Sequence, residues 1–160
     1  MSQHGSPLDR PVVKCECGMQ AELLFGSAVL PRSIDHARRL FWYCDACDAW
    51  TPAAPKTFEP EGVLHPHRIR QMKRKIVDAV DFLIDQKVQA TGCWRRDAWA
   101  AAWSWINQET GSGLDGPAKL NKLGRQDIER IWEIVKPVRM KLKRELKKRE
   151  KRGSGHQASK

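Results

Sequence analysis

The chain has 160 residues, 41% of them hydrophobic and 30% charged, with a formal net charge of +10, a pI of about 9.7 and a mean hydropathy of −0.61. No apolar run approaches the roughly 18 residues that a helical membrane span requires, so no membrane partner is expected. The positive balance points to a polyanionic partner, most simply nucleic acid, and the length to one compact domain or a small module joined to a helical domain.

Residues 1–11 are short, polar and marked by Gly and Pro, the composition of a disordered N-terminus. No hydrophobic signal segment precedes the first cysteines, so a reducing cytoplasm is the default expectation. Val12-Val13-Lys14 then leads into Cys15-Glu16-Cys17-Gly18. A second pair, Cys44-Asp45-Ala46-Cys47, follows 26 residues later. Two close cysteine pairs at this separation have the spacing of a zinc ribbon, in which two knuckles supply four thiolates to one tetrahedral Zn²⁺. Gly18 suits the positive φ of such a knuckle. The one-residue spacing of the first pair departs from the usual two, which leaves His36 or His4 as an alternative fourth ligand. An odd cysteine count and adjacent Cys-x-Cys placement speak against disulfides. No βαβ pattern surrounds Cys44-x-x-Cys47 to suggest a redox motif. Cys93 is left over and reads as a small buried hydrophobe.

Between the pairs, 20–30 reads as a strand, 31–39 as a polar loop, and Arg39-Leu40-Phe41-Trp42-Tyr43 as the strongest strand signal. Ala49-Trp50-Thr51-Pro52 makes a short third strand. A three-stranded zinc ribbon over 12–58 is therefore expected, with Trp42 and Trp50 packed over the metal site. An exposed aromatic that stacks on a base is the functional alternative for either tryptophan. Residues 59–67 read as a proline-rich linker that ends at a helix start near His65-Pro66-His67.

A helical domain is expected over 68–138. Its first helix runs to about residue 89, with Ile69, Met72, Ile76, Val80, Leu83 and Lys87 at three- and four-residue steps. Arg68, Arg70, Lys73, Arg74 and Lys75 crowd its start, where cations oppose the helix dipole. Local stability does not favour them there, so they are candidates for phosphate contact. The second helix, about 95–110, lines up Trp99, Trp103 and Ile106, and its tryptophans read as core. Glycines and a proline over 111–117 break the pattern. The third helix starts near Arg125, with Ile128, Ile131, Trp132 and Val135 as its buried face, and Pro137 is expected to kink or restart it.

Residues 139–160 read as a basic C-terminal helix that frays into a disordered tail. From Arg139 to Arg152 stand nine basic residues against two glutamates, a net of +7. Arg139, Lys141, Lys143, Arg144, Lys147 and Lys148 are the candidate nucleic-acid contacts. A solvated, solubilising tail is the plainer alternative.

The Cys17-Gly18 knuckle, the segment Arg39-Leu40-Phe41-Trp42-Tyr43-Cys44 and the run Cys44-Asp45-Ala46-Cys47-Asp48-Ala49-Trp50 resemble the zinc-finger-containing domain proteins of phages and bacteria. The resemblance extends over roughly 14–136 through a basic helix, a tryptophan-bearing helix and Leu123 to Val135, and is specific only at the knuckles. It implies a phage or prophage origin and no activity.

The fold class expected is α+β, a three-stranded zinc ribbon followed by a three-helix domain. The function expected is that of a nucleic-acid-binding regulator with one structural Zn²⁺, favouring DNA over RNA and acting in the host cytoplasm. A module that docks on host transcription or defence machinery is the alternative. An enzyme is not expected, because four thiolates close a zinc site. His4, His36, His65, His67 and His156 also lack carboxylates at any recognisable motif spacing.

Overall fold

The computed structural model describes residues 10–155. The expectations for residues 1–9, His4 among them, and for 156–160, His156 among them, lie outside the described residues. The architecture is α+β, with a small antiparallel sheet in the N-terminal part and helices after it.

The sheet has four strands in the order β1-β2-β3-β4, where β1 is Glu22–Phe25, β2 Leu40–Cys44, β3 Ala49–Pro52 and β4 His65–Pro66. The expected three-stranded ribbon is thus corrected by one strand. The extra strand is the end of the segment read as linker. His65 pairs with Trp50 and Pro66 with Ala49, so the chain adds two residues to the β3 edge before turning into a helix. Proline is tolerated there because an edge strand leaves its donor side free.

The predicted first strand is also shorter than 20–30. After Phe25 the chain turns through a single helical turn, α1 (Gly26–Val29), closed by the Leu30 N–H donating to Gly26 O at 2.7 Å.

The register separates two faces. Leu23, Trp42 and Thr51 are cross-strand partners on one face, as are Glu22, Tyr43 and Trp50 on the other. The first face carries the ribbon core: Val13, Cys15, Ala21, Trp42, Cys44, Ala49, Ala53 and Leu64 cluster there, with Leu23, Leu40 and Cys47 against them. Trp42 is 4% exposed and donates its indole N–H to Phe58 O at 2.7 Å, which satisfies the polar atom of a large buried ring. On the other face Phe41 packs edge-on to Trp50, with ring centroids 5.4 Å apart.

Two compact units result. One takes the residues up to Gln71 together with Ala118–Arg125, and the other takes Met72–Pro117 and the residues from Gln126 onward. In the first, the Val63 N–H donates to Asn121 O at 2.8 Å and His65 Nε2 bonds Leu123 O at 2.7 Å. The stretch before the last helix thereby belongs with the ribbon.

The helices follow the predicted periodicities. Helix α2 spans His67–Thr91 and buries Ile69, Ile76, Ala79, Val80 and Ile84, while Lys87, placed in the predicted stripe, is exposed. Helix α3 spans Arg95–Thr110 and ends on Gly111 in the left-handed region, at φ 64°. Its tryptophans divide rather than sharing one core. Trp103 is 2% exposed, Trp99 37% and Trp94, just before the helix, 81%. A 3₁₀ helix, Pro117–Lys122, precedes α4, Arg125–Ser154. Helix α4 buries Ile128, Ile131 and Val135 and runs as one helix across Pro137, so of the kink or restart expected there the restart does not occur. Cys93 is half-buried, not enclosed.

Candidate metal centre

The sulfurs of Cys15, Cys17, Cys44 and Cys47 all lie within 4.8 Å of one another. Four thiolates about 2.3 Å from one tetrahedral Zn²⁺ stand about 3.8 Å apart, so the cluster has the size the ion needs. Cys17 Sγ and Cys44 Sγ are 3.6 Å apart. No other group of three or more His, Cys, Asp or Glu among the described residues is placed to hold an ion. His36 is not part of the cluster; its Nδ1 bonds Ser33 Oγ at 2.9 Å. His65, read as a helix-start residue, is 1% exposed and bonds a backbone carbonyl.

Each knuckle is a hairpin turn. The first joins the Lys14–Gln20 bridge, with the Gly18 N–H donating to Cys15 O and the Cys15 N–H to Met19 O, both at 2.9 Å. Gly18 sits at φ +89°, a conformation that costs a side-chain-bearing residue free energy. The second knuckle is the loop of the β2–β3 hairpin, opened by the Cys44–Ala49 pair. Asp48 turns it at φ 50° and is held by Tyr43 Oη, which donates to its Oδ1 at 2.9 Å. Aspartate is among the few residues that tolerate this region.

The thiols are not equivalent. Burial pushes the Cys15 thiol up to about 12. The Met19 backbone N–H, followed by a hydrogen bond from Cys47, draws the Cys17 thiol down to about 7. Cys44 is raised, first by burial.

Arg125, the first residue of α4, reaches the cluster from 110 residues away in sequence. Its Nη2 stands 3.0 Å from Cys15 Sγ and its Nη1 3.7 Å from Cys47 Sγ. Its Nε lies 3.0 Å from Glu16 Oε2, and its backbone N–H faces both Glu16 oxygens at 3.2 Å. Burial opposes the guanidinium charge, but the hydrogen bond to Cys47 and the negative charges of Cys15, Cys47 and Glu16 raise its pKa above the ordinary value. Neither Arg125 nor Glu16 is apparent as part of the site from sequence, since no local spacing links them.

The donor set fits one structural zinc: four thiolates fill a tetrahedron and leave no position for a substrate. A guanidinium donating to the sulfurs suits the resulting dianion.

The basic residues fall into distinct settings. On α2, Arg68, Arg74 and Lys75 are exposed, while Arg70 and Lys73 are half-buried. Arg70 lies over the Trp50 ring, 4.3 Å from its centroid, and donates to His65 O. Trp50 therefore stacks on a residue of this chain. On α4, Arg139 is half-buried, whereas Lys141, Lys143, Arg144, Lys147 and Lys148 are exposed. Lys143 Nζ sits 5.5 Å from the centroid of the Phe82 ring.

No family model, no curated protein and no solved structure matches this chain.

Proposed function

We propose that this chain is a zinc-ribbon nucleic-acid-binding protein, a phage or prophage regulator that works in the host cytoplasm and holds one structural Zn²⁺. The observation that carries the reading is the second half of α4. Beyond Val135, the last residue buried on this helix, a run of about 28 Å of helix to Ser154 bears the nine basic residues of Arg139–Arg152, all but Arg139 exposed. A dense run of exposed cations matches the demands of a phosphate backbone, which is read by charge rather than by base. Arg68, Arg74 and Lys75 of α2 add to the same electrostatic term, and duplex DNA is preferred as the partner over RNA. The resemblance to the phage and bacterial zinc-finger-containing domain proteins supports the phage or prophage origin alone and carries no activity. The metal centre serves the ribbon's folding, because a sheet this small gains much of its stability from a closed metal site.

A salt titration of the full-length, metal-quantified protein on duplex DNA and on single-stranded RNA tests this. The logarithm of the binding constant should fall linearly with the logarithm of salt, with a slope near −0.9 per phosphate contacted in B-DNA. The double variant Lys147→Gln/Lys148→Gln should flatten the slope by roughly two units if both side chains touch phosphate. Binding that ignores both salt and these substitutions would sink the proposal.

One set of observations favours a second reading, docking on a host protein of the transcription or defence machinery. In the ribbon unit Val12 is 71% exposed, Met19 57%, Phe25 59% and Ile34 92%. A protein partner would cover apolar side chains this open where they adjoin in one patch. Zinc-loaded protein with no affinity for nucleic acid at physiological salt would move the choice to this reading.

A further inference from the structure

The contacts of Arg125 form a chain of alternating charge: sulfurs of Cys15 and Cys47, guanidinium, Glu16 carboxylate, and the backbone N–H that opens α4. Glu16 lies between the first two cysteines, so it moves with their knuckle. Its carboxylate occupies the place of a helix cap, accepting from a first-turn donor that has no partner inside the helix. Arg125 is three-quarters buried, its side chain 25% exposed, with Glu16 at 36%. Gly124 leaves room for the approach; a Cβ there would stand 2.6 Å from Glu16 Oε1.

We propose that Arg125 is a positioning residue of the metal centre. It donates to two of the four thiolates, offsets part of the charge of the zinc tetrathiolate, and ties the start of α4 to metal occupancy through Glu16. The proposal rests on the four-cysteine zinc reading. Four thiolates around one divalent ion carry a net charge of −2, and donors that stabilise this charge raise the affinity of the site. A planar guanidinium holds its donors in a fixed fork that meets two sulfurs while its charge faces the carboxylate, whereas a lysine ammonium is a compact point charge on a flexible stem. Loss of the ion should therefore free Arg125 from the sulfurs and loosen the first turn of α4.

The test compares full-length wild type with Arg125→Gln, Arg125→Lys and Glu16→Gln. Three readouts are used: zinc affinity by chelator competition, the absorption spectrum of the Co²⁺-substituted proteins, and exchange of the amides over 129–131, which bond the carbonyls of the first turn. Arg125→Gln should weaken zinc by roughly 10- to 100-fold. It should also move the sulfur-to-Co²⁺ charge-transfer band to lower energy, because thiolates without a donor give up electrons more readily. Arg125→Lys should recover part of both effects. Glu16→Gln should leave the band near wild type but speed exchange over 129–131. Adding Zn²⁺ to the metal-free wild type should slow exchange there.

A residue that only supports folding would not move the band of a folded, Co²⁺-loaded protein. If Arg125→Gln is too unstable to load, the band and affinity of Arg125→Lys decide. Wild-type zinc affinity and an unshifted band in the Arg125 variants would overturn the role of Arg125 while leaving the zinc site standing. A wild type that takes up no zinc would overturn both.

Discussion

Cys15 and Cys17 are two residues apart, yet one thiol is held near 12 by burial and the other near 7 by a backbone amide. Metal binding requires both as thiolates, so at neutral pH it must displace the proton of Cys15, and that of Cys44, whose thiol burial also raises. The sign follows: protons compete with the ion, so affinity rises with pH and falls on acidification. With at least two protons displaced, zinc affinity should drop at least about 100-fold per pH unit between pH 7 and 6. Competition with a chromophoric chelator, corrected for its own protonation, measures this. A pH-independent affinity would mean that the sulfurs are not the ligands. Among the other single residues, Trp103 has the simplest role: at 2% exposure, Trp103→Ala should cost roughly 3–5 kcal/mol, read as a lowered denaturation midpoint of its unit.

Helix α4 is the element whose sequence most conflicts with its structure. Pro137 lacks the donor a helix interior needs, and its ring crowds the preceding turn, yet the helix continues to Ser154. The apolar positions explain the continuation: Ile128, Ile131 and Val135 lie fully buried before the proline, and Leu142 and Leu146 are half-buried after it. Packing on both sides holds the helical path that the proline locally disfavours. Pro137 is itself exposed, so replacing it removes no buried contact. Pro137→Ala should stabilise the protein by about 1–3 kcal/mol, visible as a higher thermal midpoint; a lower midpoint would show that the proline contributes to the native state. Strand β4 is the opposite case. His65-Pro66 carries no strand pattern of its own and is strand only because Ala49 and Trp50 offer an edge to pair with.

For the whole chain, charge is the dominant feature: +10 overall, of which the stretch Arg139–Arg152 holds +7. No helix among the described residues is long and apolar enough to cross a membrane, and the cations of Arg139–Arg152 other than Arg139 are exposed. Screening then governs the interaction, with a Debye length of about 8 Å at physiological salt. Raising salt from 50 to 200 mM should cut DNA affinity by roughly 10³-fold or more if six or more phosphates are engaged, as fluorescence anisotropy would show. A much smaller loss would favour the exposed Phe25, Met19 and Ile34 as the contact surface. Chelation of the ion should unfold the ribbon unit first, because its core cluster includes Cys15 and Cys44 themselves.

The features legible in the sequence are those with local causes. Each cysteine pair sits in a turn that aims its two thiols at one point, and the four sulfurs lie within 4.8 Å of one another. The α3 boundaries, the buried periodicity of α2 and the basic run of α4 follow from spacing and composition over a few turns of chain. Tertiary structure decided what local pattern does not encode. It gave His65 and Pro66 a strand, removed His36 from the ligand set, buried Trp103 while leaving Trp94 open, and carried α4 through Pro137. Above all it brought Arg125 to Cys15, a contact across 110 positions. Such a contact depends on where whole elements pack, and a guanidinium leaves no periodic or spacing signature in the chain that supplies it.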